Sequence, residues 1–188
     1  MHDLEPYYKW RNLYIAEEDA RSPFFGRVYS EFEFMHKVYN YAIHPQWDAF
    51  GSETLYLKIL YADYDKKYCI IELIGEWNDC LYNDIMFFKR DVIEHMIAQG
   101  INKFILLGDS VFNFHYSDDC YYEEWFEEVE NGWVAGINFR DFVVKEFEKA
   151  RVHYYIHMGN DFNDIFWQTM TPDKLYHTVL ERLPKLIE

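Results

Sequence analysis

The chain is poor in cysteine, proline and glycine. Its 188 residues include three cysteines, five prolines and eight glycines. Cys69, Cys80 and Cys120 are odd in number and share no paired spacing, so we expect neither a disulfide framework nor a structural zinc site. Such cysteine usage is typical of proteins in a reducing compartment.

Basic residues and long apolar runs are also scarce. There are 18 basic against 33 acidic residues, which gives a net charge of −15. A field of this sign repels phosphate groups, so we expect no nucleic-acid partner and no anionic membrane surface, while a basic protein partner or a metal ion would be attracted. Neither a membrane-spanning run nor the basic and apolar regions of a signal peptide is present, so the sequence predicts a cytoplasmic protein.

Several motifs that would identify an enzyme are missing. No GxGxxG, GxxxxGK[ST] or G-x-S-x-G sequence occurs, which excludes the common dinucleotide, P-loop and nucleophile-elbow sites. His44, His115 and His157 could be zinc ligands or general bases, but no HxH or HExxH spacing joins them. The sequence therefore favours a protein that is not an enzyme, without deciding the question.

Aromatic residues are abundant, at 21% of the chain. Thirteen of them lie in residues 1–53, where periodicity is weak and only a strand near 27–41 is indicated. We expect one domain of 188 residues, in which residues 1–53 are an elaboration that packs on an α/β core of residues 54–188. Two alternatives are that the aromatic residues form the arm of a homodimer or line an apolar pocket.

A βαβ unit is the clearest local pattern. Residues 68–77 predict a central strand, 83–99 an amphipathic helix and 103–107 a second buried strand, followed by a polar loop at 109–119. The preceding residues 54–64 alternate as a half-exposed edge strand does. Further elements are predicted as a helix at 118–130, a strand at 133–138, a helix at 140–150, a strand at 152–158 and a final helix that Thr171 caps. The order after residue 53 is β-β-α-β-α-β-α-β-α, with a mixed, mostly parallel sheet.

This order and two local phrases resemble the STAS domain family (sulfate transporter and anti-sigma-factor antagonist). Ile71-Glu72-Leu73-Ile74-Gly75-Glu76-Trp77-Asn78-Asp79 is similar to the family's strand that ends in Gly-Glu-Leu-Asp. Residues 110–119 fall where the family has Val-x-Phe-x-Asp-Ser-Ser-Gly, and the likeness extends over about residues 54–185. It implies a STAS-like α/β sandwich that binds and regulates. The family's phosphorylated serine would correspond to Ser117, but here Asp118 and Asp119 replace Ser-Gly and would repel a phosphate.

Polar residues gather in the loops that are predicted to follow the strands. Ligands bind at this edge of open parallel sheets, so these loops hold the candidate binding residues. They are Glu76, Asn78, Asp79, Asp109, Ser110, His115, Ser117, Asp118, Asp119 and Arg140, with Asn138, Asn160, Asp161, Asn163 and Asp164 beside them. Such residues also cap helices and form turns, which is the simpler interpretation.

Three functional hypotheses follow. The first is a non-enzymatic cytoplasmic binding or regulatory domain that holds a protein partner through loop 109–119 and the acidic helix 118–130, with Trp125 as an anchor. The second is a hydrolase or phosphotransfer enzyme in which Glu76, Asp79, Asp109 and Asp119 bind Mg²⁺ or Mn²⁺ and His115 moves the proton. The third is a lipid or small-molecule carrier with an aromatic pocket.

Overall fold

The protein is an α/β structure built on one four-stranded sheet. A computed structural model describes residues 4–184. The strands are β3 (Leu55–Asp63), β4 (Tyr68–Asn78), β5 (Lys103–His115) and β6 (Trp133–Ile137), and they lie in that order across the sheet. The pair β3–β4 is antiparallel, while β4–β5 and β5–β6 are parallel. The expected mixed, mostly parallel sheet is therefore confirmed.

Helices connect the parallel strands, as the hydrophobic pattern predicts. Between β4 and β5 lie α1 (Asp79–Tyr82), α2 (Asp84–Phe87) and α3 (Glu94–Ala98), with a π-helical turn at Phe88–Ile93 joining the last two. The later helices are α4 (Cys120–Glu128), α5 (Asp141–Lys149) and α6 (Pro172–Arg182). Thr171 Oγ1 accepts the Lys174 N–H at 3.2 Å, so the predicted cap of the last helix is confirmed.

Two predicted elements are wrong. Residues 152–158 do not form a strand but a short 3₁₀ helix, Val152–Tyr154, and one isolated parallel bridge from His157 to Ala135. The loop expected at 109–119 is strand as far as His115, because β5 continues well beyond Leu107. Five residues of β5 beyond Leu107 therefore pair with β4, and the last two pairs are Phe114 with Trp77 and His115 with Asn78.

Side chains alternate between the two sheet faces, and each face has its own core. On one face Leu57, Ile71 and Leu106 pack under α2, α3, α4 and α5, and we call this the helix face. On the other face Ile70 and Leu107 pack against α6 and residues 162–167, and a smaller cluster forms around Ile74. We call this second side the cleft face.

The aromatic N-terminal segment covers the edge of the sheet. Phe24 belongs to the core of the helix face, Trp10 to that of the cleft face and Trp47 to the cluster around Ile74. Backbone bonds between Asp48 and Leu57 (2.8 and 3.1 Å) protect the edge strand β3. The expectation of a half-exposed β3 is thus wrong, since its first six residues are buried.

Only short strands form within the same segment. In place of one strand near 27–41, there is a hairpin of β1 (Lys37–Val38) and β2 (Tyr41–Ala42). Across residues 4–184, no helix combines the length and the apolar character that crossing a bilayer requires.

Candidate functional site

A band of polar side chains crosses the otherwise apolar cleft face. It contains Lys58 of β3, Glu72 of β4, Asp109 of β5 and Asn138 just after β6. Lys58 and Glu72 are direct partners in the antiparallel register, and Glu72 lies opposite Leu107 in the parallel one. The register shifts between Glu72 and Ile74, which places a bulge of β5 beside Glu72. We refer to these four residues as the polar band.

Lys58 and Asp109 are bonded to other parts of the chain. Lys58 Nζ lies 3.1 Å from Glu17 Oε2 and 3.3 Å from Asp48 Oδ2, and both carboxylates belong to the N-terminal segment. Asp109 accepts the Trp167 Nε1–H at 2.9 Å and an Asn138 Nδ2–H at 3.2 Å. These contacts fix the N-terminal segment and residues 163–168 over the sheet.

Glu72 is bonded less completely. Its Oε2 accepts the Tyr7 backbone N–H at 2.8 Å, and within residues 4–184 its Oε1 has no hydrogen-bond partner. Burial, and secondly the nearby Asp109 charge, raises the pKa of Glu72 to about 8 although the Tyr7 bond opposes the change. A carboxyl group that is perturbed in this way and lines a cleft is a candidate for function.

Three clefts open along the cleft face. The hairpin cleft, about 380 Å³, is lined by Leu4, Val38, Tyr39, Tyr41, Ala42, Ile43 and Phe112. The Glu72 cleft, about 250 Å³, is lined by Glu5, Pro6, Tyr7, Tyr8, Glu72, Trp167 and Gln168. The Asp109 cleft, about 420 Å³, is lined by Asp109, Asn138, Phe139, Asp141, Asn163, Asp164, Ile165, Phe166 and Gln168. Gln168 is common to the last two, so those clefts adjoin.

The predicted edge residues divide between these clefts and the interior. Asp109 lines a cleft, and Ser110 pairs with Ile74 in the sheet. At the end of β5, His115 Nε2 lies 2.5 Å from Glu76 Oε1. The Arg140 guanidinium lies 4.9 Å from the centre of the Phe112 ring, beside the hairpin cleft.

Asn78 and Asp79 support the fold. Asn78 Oδ1 caps α1 by accepting the Leu81 N–H at 2.9 Å. Asp79 accepts the Trp77 Nε1–H (3.0 Å), the Ile85 N–H (2.8 Å) and the Tyr122 O–H (2.5 Å). Burial raises the pKa of Asp79 to about 7, but its oxygens are all used within the core.

Several of the residues predicted to contact a protein partner, in loop 109–119 and helix 118–130, are less accessible than such a contact requires. Trp125 is 1% exposed and packs edge-on against Phe88 and Phe104, so its assignment as an anchor is wrong. Ser117 and Asp118 are exposed, and Asp119 Oδ2 accepts the Tyr155 O–H at 3.3 Å. Two of the four carboxylates of α4, those of Glu124 and Glu128, form ion pairs with Lys89 and are described next.

The four carboxylates expected to bind a metal are not brought together. Within residues 4–184, the acidic group that could hold an ion is Glu94, Glu124 and Glu128. The ammonium of Lys89 already lies among them, 3.0 Å from Glu94, 3.7 Å from Glu124 and 2.7 Å from Glu128. Lys89 is fully buried and the three glutamates are partly exposed, so this group neutralises a buried ammonium, and Arg90 also pairs with Glu94 and Glu124.

Neither Cys69 nor Cys120 is an activated thiol. Burial raises the pKa of Cys69, and a hydrogen bond with Asp118 raises that of Cys120, whereas a nucleophilic cysteine needs a lowered pKa. Sequence reasoning missed Glu72 because it lies in a run of apolar residues. The one available signal was this single carboxylate within the predicted central strand.

No family model matches the chain, and no curated protein matches it. The class of protein that the geometry defines is an α/β domain with its clefts on one face of the sheet. The likeness to the STAS family stays a prediction.

Proposed function

We propose that this protein is a non-enzymatic binding domain and that a small, largely apolar molecule occupies the hairpin cleft. The cleft itself is the observation that carries the proposal. Its volume of about 380 Å³ falls within the range of small-molecule sites, and its lining is almost wholly aliphatic and aromatic. Tyr39 and Tyr41, 60% and 71% exposed, belong with the other lining residues to one contiguous apolar patch, and such patches mark binding sites more often than single exposed rings do.

Polar groups at the rim of the cleft could orient such a ligand. Arg140 stacks on Phe112 of β5. Further along the sheet, Glu76 of β4 is paired with His115 of β5. Burial and then the Glu76 charge raise the pKa of Tyr39, while Arg140 opposes the rise. The Tyr39 hydroxyl therefore stays neutral at pH 7 and can donate a hydrogen bond to the ligand.

The contacts of α4 support small-molecule binding over the docking of a basic protein. Glu124 and Glu128 are bonded to Lys89 or Arg90, and the ring of Trp125 is buried. An interface anchor must be accessible before the complex forms, so Trp125 cannot serve as one, and Phe126, at 52% exposed, is the large apolar side chain that α4 presents to solvent.

The test uses the neutral fluorophore N-phenyl-1-naphthylamine. Ala42 is exposed in the lining of the cleft, so Ala42→Trp should fill it without disturbing the core. Ala98→Trp, on the exposed side of α3, is the matched control. We expect saturable binding to wild type and to Ala98→Trp, and at least tenfold weaker binding to Ala42→Trp. Equal binding to all three proteins, or none to wild type, would refute the proposal.

A hydrolase is the second candidate, because His115 and Glu76 are 2.5 Å apart, as a general base and its orienting carboxylate would be. Its metal-dependent form is less well supported, since Glu76, Asp79, Asp109 and Asp119 do not converge. Hydrolysis of p-nitrophenyl acetate and p-nitrophenyl phosphate by wild type and His115→Ala would decide. Equal rates with both proteins would reject this candidate.

A further inference from the structure

The Glu72 cleft combines a carboxyl group with aromatic rings. Glu72 lies at its base, and Tyr7, Tyr8 and Trp167 form part of its walls. The hairpin cleft uses none of these residues. We propose that the Glu72 cleft is a second binding site and that it takes the ammonium group of a small organic amine.

The carboxyl group is arranged to accept a donor from the cleft. The Tyr7 N–H fixes Oε2 at 2.8 Å, and Oε1 has no partner within residues 4–184. An ammonium group supplies three N–H donors, and a charge-assisted bond to a partly buried carboxylate is stronger than a neutral one. A cation in the cleft would therefore complete the hydrogen bonding of Glu72.

The aromatic walls favour the same kind of ligand. Ring centres lie 4.9 Å apart for Tyr7 and Trp167, 5.1 Å for Tyr7 and Trp10, and 5.7 Å for Trp10 and Trp167. Trp10 is buried and lies outside the lining, against Tyr7 and Trp167. Its N–H donates to Met170 O while that of Trp167 donates to Asp109 Oδ2, so the lining rings are held in place. Aromatic faces attract ammonium groups through the ring quadrupole, and tryptophan does so best.

The charges around Glu72 also select a cation. Glu5 and the hydroxyls of Tyr7 and Tyr8 belong to the N-terminal segment, and Asp109 approaches from β5. The segment 165–168 adds no charge. Lys58 on β3 is the basic residue opposite Glu72, but its ammonium is bonded to Glu17, Asp48 and the Tyr29 hydroxyl. The net field is negative, so a carboxylate ligand would be repelled.

Binding of a cation should release a proton. Burial raises the pKa of Glu72 to about 8, so the group is mostly protonated at pH 7 in the free protein. An adjacent ammonium stabilises the ionised form, and the proton then leaves to the buffer.

The probe is phenethylamine, with 2-phenylethanol and 3-phenylpropanoate as neutral and anionic comparators. Titration calorimetry at pH 7 in phosphate and in Tris, whose ionisation enthalpies differ, gives both affinity and proton release. We expect saturable binding of the amine with close to one proton released, weaker binding of the alcohol without release, and none of the acid. Glu72→Gln should weaken amine binding at least tenfold, and Glu148→Gln, at an exposed position of α5, should not.

A variant on the rim covers the case in which Glu72→Gln fails to fold. Tyr8 is 62% exposed, so Tyr8→Arg should fold and place a competing cation at the cleft. Tyr154→Arg, at a 67% exposed position, is its control. Equal affinity for the amine and the alcohol, amine binding without proton release, or full binding by Glu72→Gln and Tyr8→Arg would overturn the inference. Since the fluorophore test concerns another cleft, either proposal can fail while the other stands.

Discussion

Charged groups below the surface are paired more completely on the helix face of the sheet than on the cleft face. On the helix face, the ammonium of Lys89 is fully buried but meets three glutamates, and Asp79 accepts three hydrogen bonds. On the cleft face, Glu72 accepts one hydrogen bond within residues 4–184 and lines an opening. Within residues 4–184 the unpaired buried atoms include Asp84 Oδ1 and Trp125 Nε1, which are enclosed in the protein, whereas Glu72 is half-buried and lines a cleft that a molecule from outside could enter.

The apolar packing is also more continuous on the helix face than on the cleft face. The helix face has one continuous core, in which Trp77 contacts Phe88, Phe114 and Phe147. The cleft face has two smaller clusters with the polar band between them. A continuous core leaves no room for a ligand, whereas two clusters separated by polar groups leave clefts. The continuous core and the clefts therefore lie on opposite sides of one sheet.

The largest expected effect is on the helix face. Lys89→Ala removes the cation among Glu94, Glu124 and Glu128 and also the packing of its alkyl chain, so we expect a loss of ~4 kcal/mol in the free energy of unfolding. Urea unfolding at pH 7 measures it. The exposed Lys145→Ala is the control and should change stability by less than ~0.5 kcal/mol. Equal effects of the two changes would mean that the cluster is not a core feature.

Asp79→Ala tests the second satisfied charge. The indole of Trp77, the Ile85 N–H and the Tyr122 hydroxyl would all lose their acceptor, and we expect a loss of ~3 kcal/mol at pH 5. Because burial raises the pKa of Asp79 to about 7, the carboxyl group is mostly neutral there, and charge repulsion contributes little. Asp141→Ala, at an exposed position, is the control, and a drop of the same size there would remove the distinction.

Most of the fold, but little of the site, could be predicted from the sequence. Apolar spacing within one segment is enough to predict β3, β4, α5 and α6, because each buries one face of its own. The strand predicted at 152–158 was wrong because Val152 and Ile156, although buried, are carried by a 3₁₀ turn and the residues after it.

The polar band depends on register, which local patterns do not contain. Lys58 and Glu72 become neighbours only when β3 pairs with β4, and Asp109 joins them through a bulge in β5. Asn78 and Asp79 stood out in the sequence since they follow a strand, yet they have the capping and core roles that such residues commonly have. The sequence pattern assigned binding roles to residues that follow strands, and it assigned none to Glu72, a carboxylate inside a strand.

On the cleft face, a charge-removing change should stabilise the protein. Unfolding returns Glu72 to its ordinary pKa near 4.5, below the folded value of about 8, so the folded state binds more protons between these values and loses stability as pH rises. Glu72→Gln removes this loss. The full shift would correspond to ~4 kcal/mol at pH 8.5, and because Glu72 is only half-buried we expect solvent to reduce the gain to ~2 kcal/mol there and to almost none at pH 4.5, as measured by urea unfolding at both pH values. A destabilised variant at pH 8.5 would show that Glu72 is as well satisfied as Asp79.

The smallest effect on the stability of wild type is expected from metal ions. This test compares the Glu94, Glu124 and Glu128 cluster with and without Lys89. In wild type the Lys89 ammonium lies among Glu94, Glu124 and Glu128, so chelation followed by Mg²⁺, Mn²⁺ or Ca²⁺ should leave the melting temperature nearly unchanged. In Lys89→Ala the same three carboxylates lose the buried ammonium and keep only Arg90, at Glu94 and Glu124, so Mn²⁺ at 100 times its Kd should return about 2.7 kcal/mol. Glu124→Gln in the Lys89→Ala background should abolish the response. Saturable stabilisation of wild type that Glu124→Gln removes would instead make the cluster a metal site, and the helix face would then hold an incomplete charge as well.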